Sequence, residues 1–154
     1  MIYPIVTYGD PVLKQKSSEI LKDYINLKEL ISDMYETMHS SKGIGLAAVQ
    51  IGIPIKLFVI ESRIEEEPIL FHKVFINPII VKEHGDNVTF TESCLSIPKF
   101  YGYVERKSNI DIEYYNENWE LQKETYSGFK ARIIQHEYDH LEGILYIERL
   151  KQTL

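Results

Sequence analysis

The sequence predicts an α+β domain, with mostly antiparallel sheets around a late helix and one helix near the N-terminus. Three observations carry that expectation. A stripe of apolar residues with helical period runs through the thirties, and the middle of the chain is rich in β-branched and aromatic residues broken by prolines. After Ser127 the helical period returns.

The early helix comes first. Leu27, Leu30, Ile31, Met34, Tyr35 and Met38 recur at helical spacing and line one face of a helix over 26–39. Its Met and Tyr residues read as core. A loop marked by Gly43 and Gly45 follows. Strands are expected over 56–60, 74–81, 88–91, 110–115 and 121–126, where Val, Ile, Phe, Tyr and Thr concentrate. Pro54, Pro68, Pro78 and Pro98 punctuate this stretch, and 116–118 reads as a hairpin turn. The acidic run Glu65-Glu66-Glu67 before Pro68 reads as a solvated loop. Ser127 stands where a helix cap is wanted, Phe129, Ile133 and Ile134 lead to His136, and Gly143 suits the end of that helix.

At 154 residues one domain, 1–154, is the natural reading. Hydrophobic residues make up 44% of the chain and charged ones 26%, a balance that argues against disorder. The net charge of −6 is the wrong sign for a domain that grips nucleic acid by its phosphates, so no direct nucleic-acid binding is predicted. No apolar run reaches the roughly 18 residues of a membrane span, and the start lacks the pattern of a signal peptide. The chain is expected to stay where it is made. Cys94 is the only cysteine, which suits a reducing compartment and leaves its thiol free for other chemistry.

The chemistry sits on the late helix. His136-Glu137-Tyr138-Asp139-His140 is an HExxH motif. Histidines four apart lie one turn apart on the same helix face, so both imidazoles reach one metal ion. Glu137 lies about 100° further round the helix, near enough to take a proton from a metal-bound water. Taken alone, the motif also describes two surface histidines beside a solvated carboxylate. A catalytic site needs a third protein ligand. No histidine follows His140, and only Glu142 and Glu148 remain downstream. Upstream, Cys94 offers a thiolate, although a lone cysteine equally reads as a small buried hydrophobe. The segment from Gly43 to Gln50 leaves its backbone uncovered, as a site for an approaching chain requires, or as a tight turn into a buried strand does. Gln50 carries an amide suited to a developing oxyanion.

Taken in order, Gly43-Ile44-Gly45-Leu46-Ala47-Ala48-Val49-Gln50, Glu92-Ser93-Cys94-Leu95-Ser96 and Gln135-His136-Glu137-Tyr138-Asp139-His140 resemble the three motifs of the peptide deformylase family. The likeness runs from Pro4 to about Leu150. It implies a metal-dependent hydrolase that removes the N-formyl group from the N-terminal methionine of nascent polypeptides and releases formate. It also implies one divalent ion on Cys94, His136 and His140, usually ferrous iron, with zinc, nickel or cobalt able to substitute. Glu137 is then the general acid and base, and Gln50 with the Leu95 amide stabilises the oxyanion. Ile44, Gly45, Glu92, Arg106, Phe129 and Ile133 are implied at the substrate. Asp139 reads equally as a partner that orients a ligand or as a solvent-facing carboxylate. The implied setting is a bacterial cytoplasm, or an organelle where a transit peptide has been removed. N-formylmethionyl chains are the partner, with transient ribosome association. The chain departs from the family at Ser93, where glycine is usual, and a positive φ there would strain the loop beside Cys94. It also runs only to Leu154, without the long C-terminal helix of many relatives.

Two other readings fit the HExxH motif. One is a protease of internal peptide bonds, disfavoured by the missing downstream ligand. The other is a non-catalytic metal-stabilised module, which would need neither Glu137 nor Gln50.

Overall fold

A computed structural model describes residues 1–151. Among the described residues, five strands form one sheet in the order β1-β2-β3-β4-β5, every pair antiparallel. They are β1 Gly45–Ala47, β2 Leu57–Ser62, β3 Phe71–Cys94, β4 Ile97–Tyr115 and β5 Leu121–Ser127. Helix α1 spans Leu27–Ser40 and helix α2 spans Gly128–Leu141.

Strand alternation sorts the core into two layers. Phe58 and Ile60 of β2 face one side, with Phe75, Ile110, Ile112, Ala131 and Ile134, so this layer lies under α2. Leu57 and Val59 face the other side, with Val74, Ile76, Leu30, Ile31, Met34 and Met38, and form the layer under α1. The helical stripe read from the sequence is therefore the buried face of α1. Among the described residues no helix is long and apolar enough to cross a membrane.

Several elements differ from expectation. The strands expected at 74–81 and 88–91 are parts of β3, which continues through the polar residues Lys82 to Asn87. That stretch pairs with β4 around Asn109 and Lys107, so its ladder is held by backbone hydrogen bonds instead of apolar alternation. Four register shifts bend the β3–β4 ribbon. The 116–118 turn forms as expected, with Asn116 Oδ1 accepting from the Asn118 and Glu120 amides. Ser127 stands at the start of α2 without a side-chain capping bond.

Two details position the site. β3 and β4 are joined by the two residues Leu95 and Ser96, so Cys94 ends its strand at a tight turn and pairs with Ile97. Gly143 adopts φ +73 directly after α2. A Cβ there would lie 2.5 Å from the Lys14 carbonyl oxygen, so the helix end requires glycine twice over.

Candidate metal centre

Cys94, His136 and His140 converge, their donor atoms all lying within 4.8 Å of one another. The sulfur stands 3.4 Å from His140 Nε2. His136 Nδ1 is bound to Glu92 Oε1 at 2.9 Å, which fixes the ring and turns Nε2 to the opposite side. Burial, reinforced by the His136 and Arg106 charges, holds His140 well below the usual imidazole range and keeps it neutral. Burial also works against charge on His136, but its bonds to Cys94 and Glu92 outweigh that and push it up to about 10. The negative groups around it favour positive charge at this point. A thiol and two imidazoles so arranged fit one cation.

Glu137 sits beside this cluster. It is 5% exposed, and among the described residues its Oε1 has no hydrogen-bond partner. Burial raises its carboxyl to about 7, a value suited to exchanging protons near neutrality. Its other oxygen packs against Gly45, where an added Cβ would lie only 2.6 Å from Oε2. Glycine at this position is thus explained by the carboxylate behind it.

Gln50 is held in one orientation. Its Oε1 accepts from the Ala47 amide at 2.9 Å, so Nε2 is turned to Ser96 Oγ at 3.1 Å and the Cys94 sulfur at 3.5 Å. A cleft of about 750 Å³ opens over these groups. Gly45, Gln50, Cys94, Leu95, His136 and Glu137 line its inner end; Ile44, Phe129, Ile133 and Glu92 line its flanks. His140 lies beneath, 1% exposed.

A model of the polypeptide deformylase family matches residues 2–154. The chain belongs to that family. A peptide deformylase of Christiangramia forsetii is 49% identical, across 97% of this chain and 82% of its own length. One of Flavobacterium psychrophilum is 50% identical, across 97% and 83%. Among solved structures, the Thermotoga maritima deformylase aligns with a TM-score of 0.87 at 37% identity, covering 98% of this chain and 99% of that one. The class I type b deformylase of Acinetobacter baumannii with Met-Ala-Ser bound aligns at 0.89 and 31% identity, covering 97% and 99%.

Three residues of this deformylase-family site sit differently from the sequence reading. Arg106 does not line the cleft. It is 6% exposed behind Glu92, bonded through Nε and Nη2 to both Glu92 oxygens and through Nη1 to Asp139. Three of its five N–H groups are so engaged with carboxylates. Asp139 is neither a solvent-facing group nor a direct partner of a ligand: buried, it holds Arg106 and Arg149. Ser93 is not among the residues with positive φ, and it pairs with Tyr101 just before the register shift at Cys94. The strain expected there is absent.

The sequence reading missed Arg132. Its Nη1 reaches Glu92 Oε2 at 2.7 Å and the Val104 carbonyl at 3.0 Å. Glu92 is therefore caged by two arginines and His136. Burial tends to raise its carboxyl, yet the bonds from His136 and Arg106 hold it at about 2. A signal was present, since Arg132 lies four residues before His136 on the same helix face. Glu148, left open as a downstream ligand, bonds Lys14 and the Leu145 amide instead.

Proposed function

We propose that this cleft is where the chain hydrolyses the formyl amide of N-formylmethionyl polypeptides, residues 1–154 acting as one catalytic domain. The observation that carries the reading is a buried, unpartnered Glu137 oxygen beside a cysteine and two histidines whose donor atoms converge.

Cys94, His136 and His140 would hold one divalent cation, which would lower the pKa of a water and polarise a carbonyl. Glu137 is placed to take a proton from the attacking water as its oxygen bonds to the formyl carbon. Gln50 Nε2 and the Leu95 amide hydrogen-bond the formyl oxygen as negative charge grows on it. Glu137 then delivers the proton to the methionine nitrogen as the C–N bond breaks, leaving formate and a free amine. The methionine side chain lies between Ile44, Phe129 and Ile133, and the peptide runs along the open edge of β1 as an added strand. That the Acinetobacter relative was solved with Met-Ala-Ser bound supports a short methionyl peptide as the ligand. Glu92 and Arg106 serve the substrate from behind, by holding His136 and the pocket wall.

Membership of the family points to ferrous iron as the native ion, and a thiolate with two imidazoles would also take zinc, nickel or cobalt. The setting is the bacterial-type cytoplasm, or an organelle, where nascent chains are met in transient association with the ribosome. The expectation about the C-terminal end falls on residues 152–154, which lie outside the described residues.

The test is formate release from formyl-Met-Ala-Ser by protein loaded anaerobically with iron, beside cleavage of the unblocked peptide. Formate should form and the unblocked peptide should survive. Internal cleavage without formate release would make the protein a protease.

A further inference from the structure

The floor of the cleft is electrically settled, and its mouth is not. Glu92 is matched by Arg106, Arg132 and His136, all of them within the wall. The other charged residues lining the cleft are Glu137, buried at its inner end, and Lys42 and Lys99. Both lysines are exposed, and among the described residues neither forms an ion pair. No exposed acidic side chain lines the cleft, although the chain as a whole carries a net charge of −6.

The backbone holds both lysines at the rim. Lys42 has φ 59 just beyond the end of α1, where its amide and that of Gly43 bond back to His39 and Met38. Lys99 has φ 64 within a bulge of β4: opposite Ser93 and Cys94 the pairing jumps from Tyr101 to Ile97, so residues 98–100 have no partners in β3. These two irregularities face the same opening from α1 and from the β3–β4 ribbon.

We infer that Lys42 and Lys99 select, among formyl-methionyl chains, those with an acidic side chain at the second or third residue. The inference rests on the functional reading above and deepens it. β1 is the end strand of the sheet, and its open edge receives the peptide. A strand laid antiparallel from Gly45 passes Ile44 and Gly43 toward Lys42, and at about 3.3 Å per residue its third residue lies roughly 7 Å beyond its first. The methionine side chain turns inward, so the following side chains reach the mouth where only positive charge awaits them. In a cleft of one sign, such charges raise the local concentration of the matching substrate as well as its affinity.

The test compares kcat/KM for formyl-Met-Glu-Ser, formyl-Met-Ala-Glu, formyl-Met-Ala-Ser and formyl-Met-Lys-Ser amides at low and high salt, in the wild type and in Lys42→Glu, Lys99→Glu and the double variant. Exposed charge pairs are worth little singly, so the acidic peptides should exceed the lysine peptide roughly five-fold to tenfold at low salt and lose most of that advantage at high salt. The double reversal should invert the order while leaving formyl-Met-Ala-Ser amide within about two-fold, since neither lysine touches the reacting groups. Equal rates on all four peptides in the wild type, or an order unchanged by the double reversal, would overturn the inference. Failure to release formate from even the neutral peptide would instead count against the functional reading beneath it.

Discussion

Glu137 lies where a side chain at Gly45 would stand, and this contact sets the position of its carboxylate. Glu137→Gln keeps the shape and removes the base, so formate release should fall roughly 10²–10⁴-fold while metal content stays at the wild-type level. A Glu137→Gln variant with normal turnover would remove the residue from the mechanism. Gly45→Ala sets a methyl group 2.6 Å from Oε2, and the carboxylate must move. Turnover should drop with metal content intact; a rise in KM with kcat unchanged would mean that Gly45 serves only the passing peptide. At this scale the placing of His136, Glu137 and His140 on one turn was legible, because HExxH spacing fixes helix geometry, whereas Cys94 joined them only through the likeness of its motif. The Gly45–Glu137 approach was not, since it joins residues 92 apart in sequence. Arg149, which reaches Asp139 across the end of α2, carries no local signal either.

Helix α2 is a polar element in an apolar bed, and Glu92 makes that arrangement tolerable. From β3 it takes bonds from Arg106 on β4 and from Arg132 and His136 on α2, so one carboxylate locks three elements together. Glu92→Ala leaves two arginines in the wall without their main partner. Chemical denaturation should record a loss of about 3–5 kcal/mol. Metal affinity should fall roughly tenfold to 100-fold as His136 loses its orienting bond. Unchanged stability together with unchanged affinity would mean that the cage is ornamental. Both helices were legible from apolar period, and the end of α2 from Gly143. The lengths of β3 and β4 were not. Lys82 to Asn87 and Glu105 to Asn109 are polar, and their place in the ribbon follows from cross-strand hydrogen bonds that no single segment encodes.

For the molecule as a whole, the fold and the chemistry are separable. The two apolar layers hold α1, the sheet and α2 without calling on Cys94, His136 or His140. Chelation should therefore abolish formate release and leave the far-ultraviolet circular dichroism in place, and ferrous iron, nickel or cobalt should restore activity. Phe75 stacks on Phe58 at 4.7 Å and lies 4.3 Å from Tyr114 in the middle of the α2 layer. Its replacement by alanine should cost about 3–5 kcal/mol of folding stability. The fold class was legible because helical and strand periods occupy different parts of the chain. A single continuous sheet was not, since joining the strands depends on register shifts in the ribbon.

The coordination sphere is the most direct point at which to test all of this. X-ray absorption of the iron-loaded or nickel-loaded protein should reveal one sulfur neighbour beside two imidazole nitrogens, and Cys94→Ser should remove the sulfur contribution. A metal surrounded only by nitrogen and oxygen, with the same spectrum in the Cys94→Ser variant, would contradict the site.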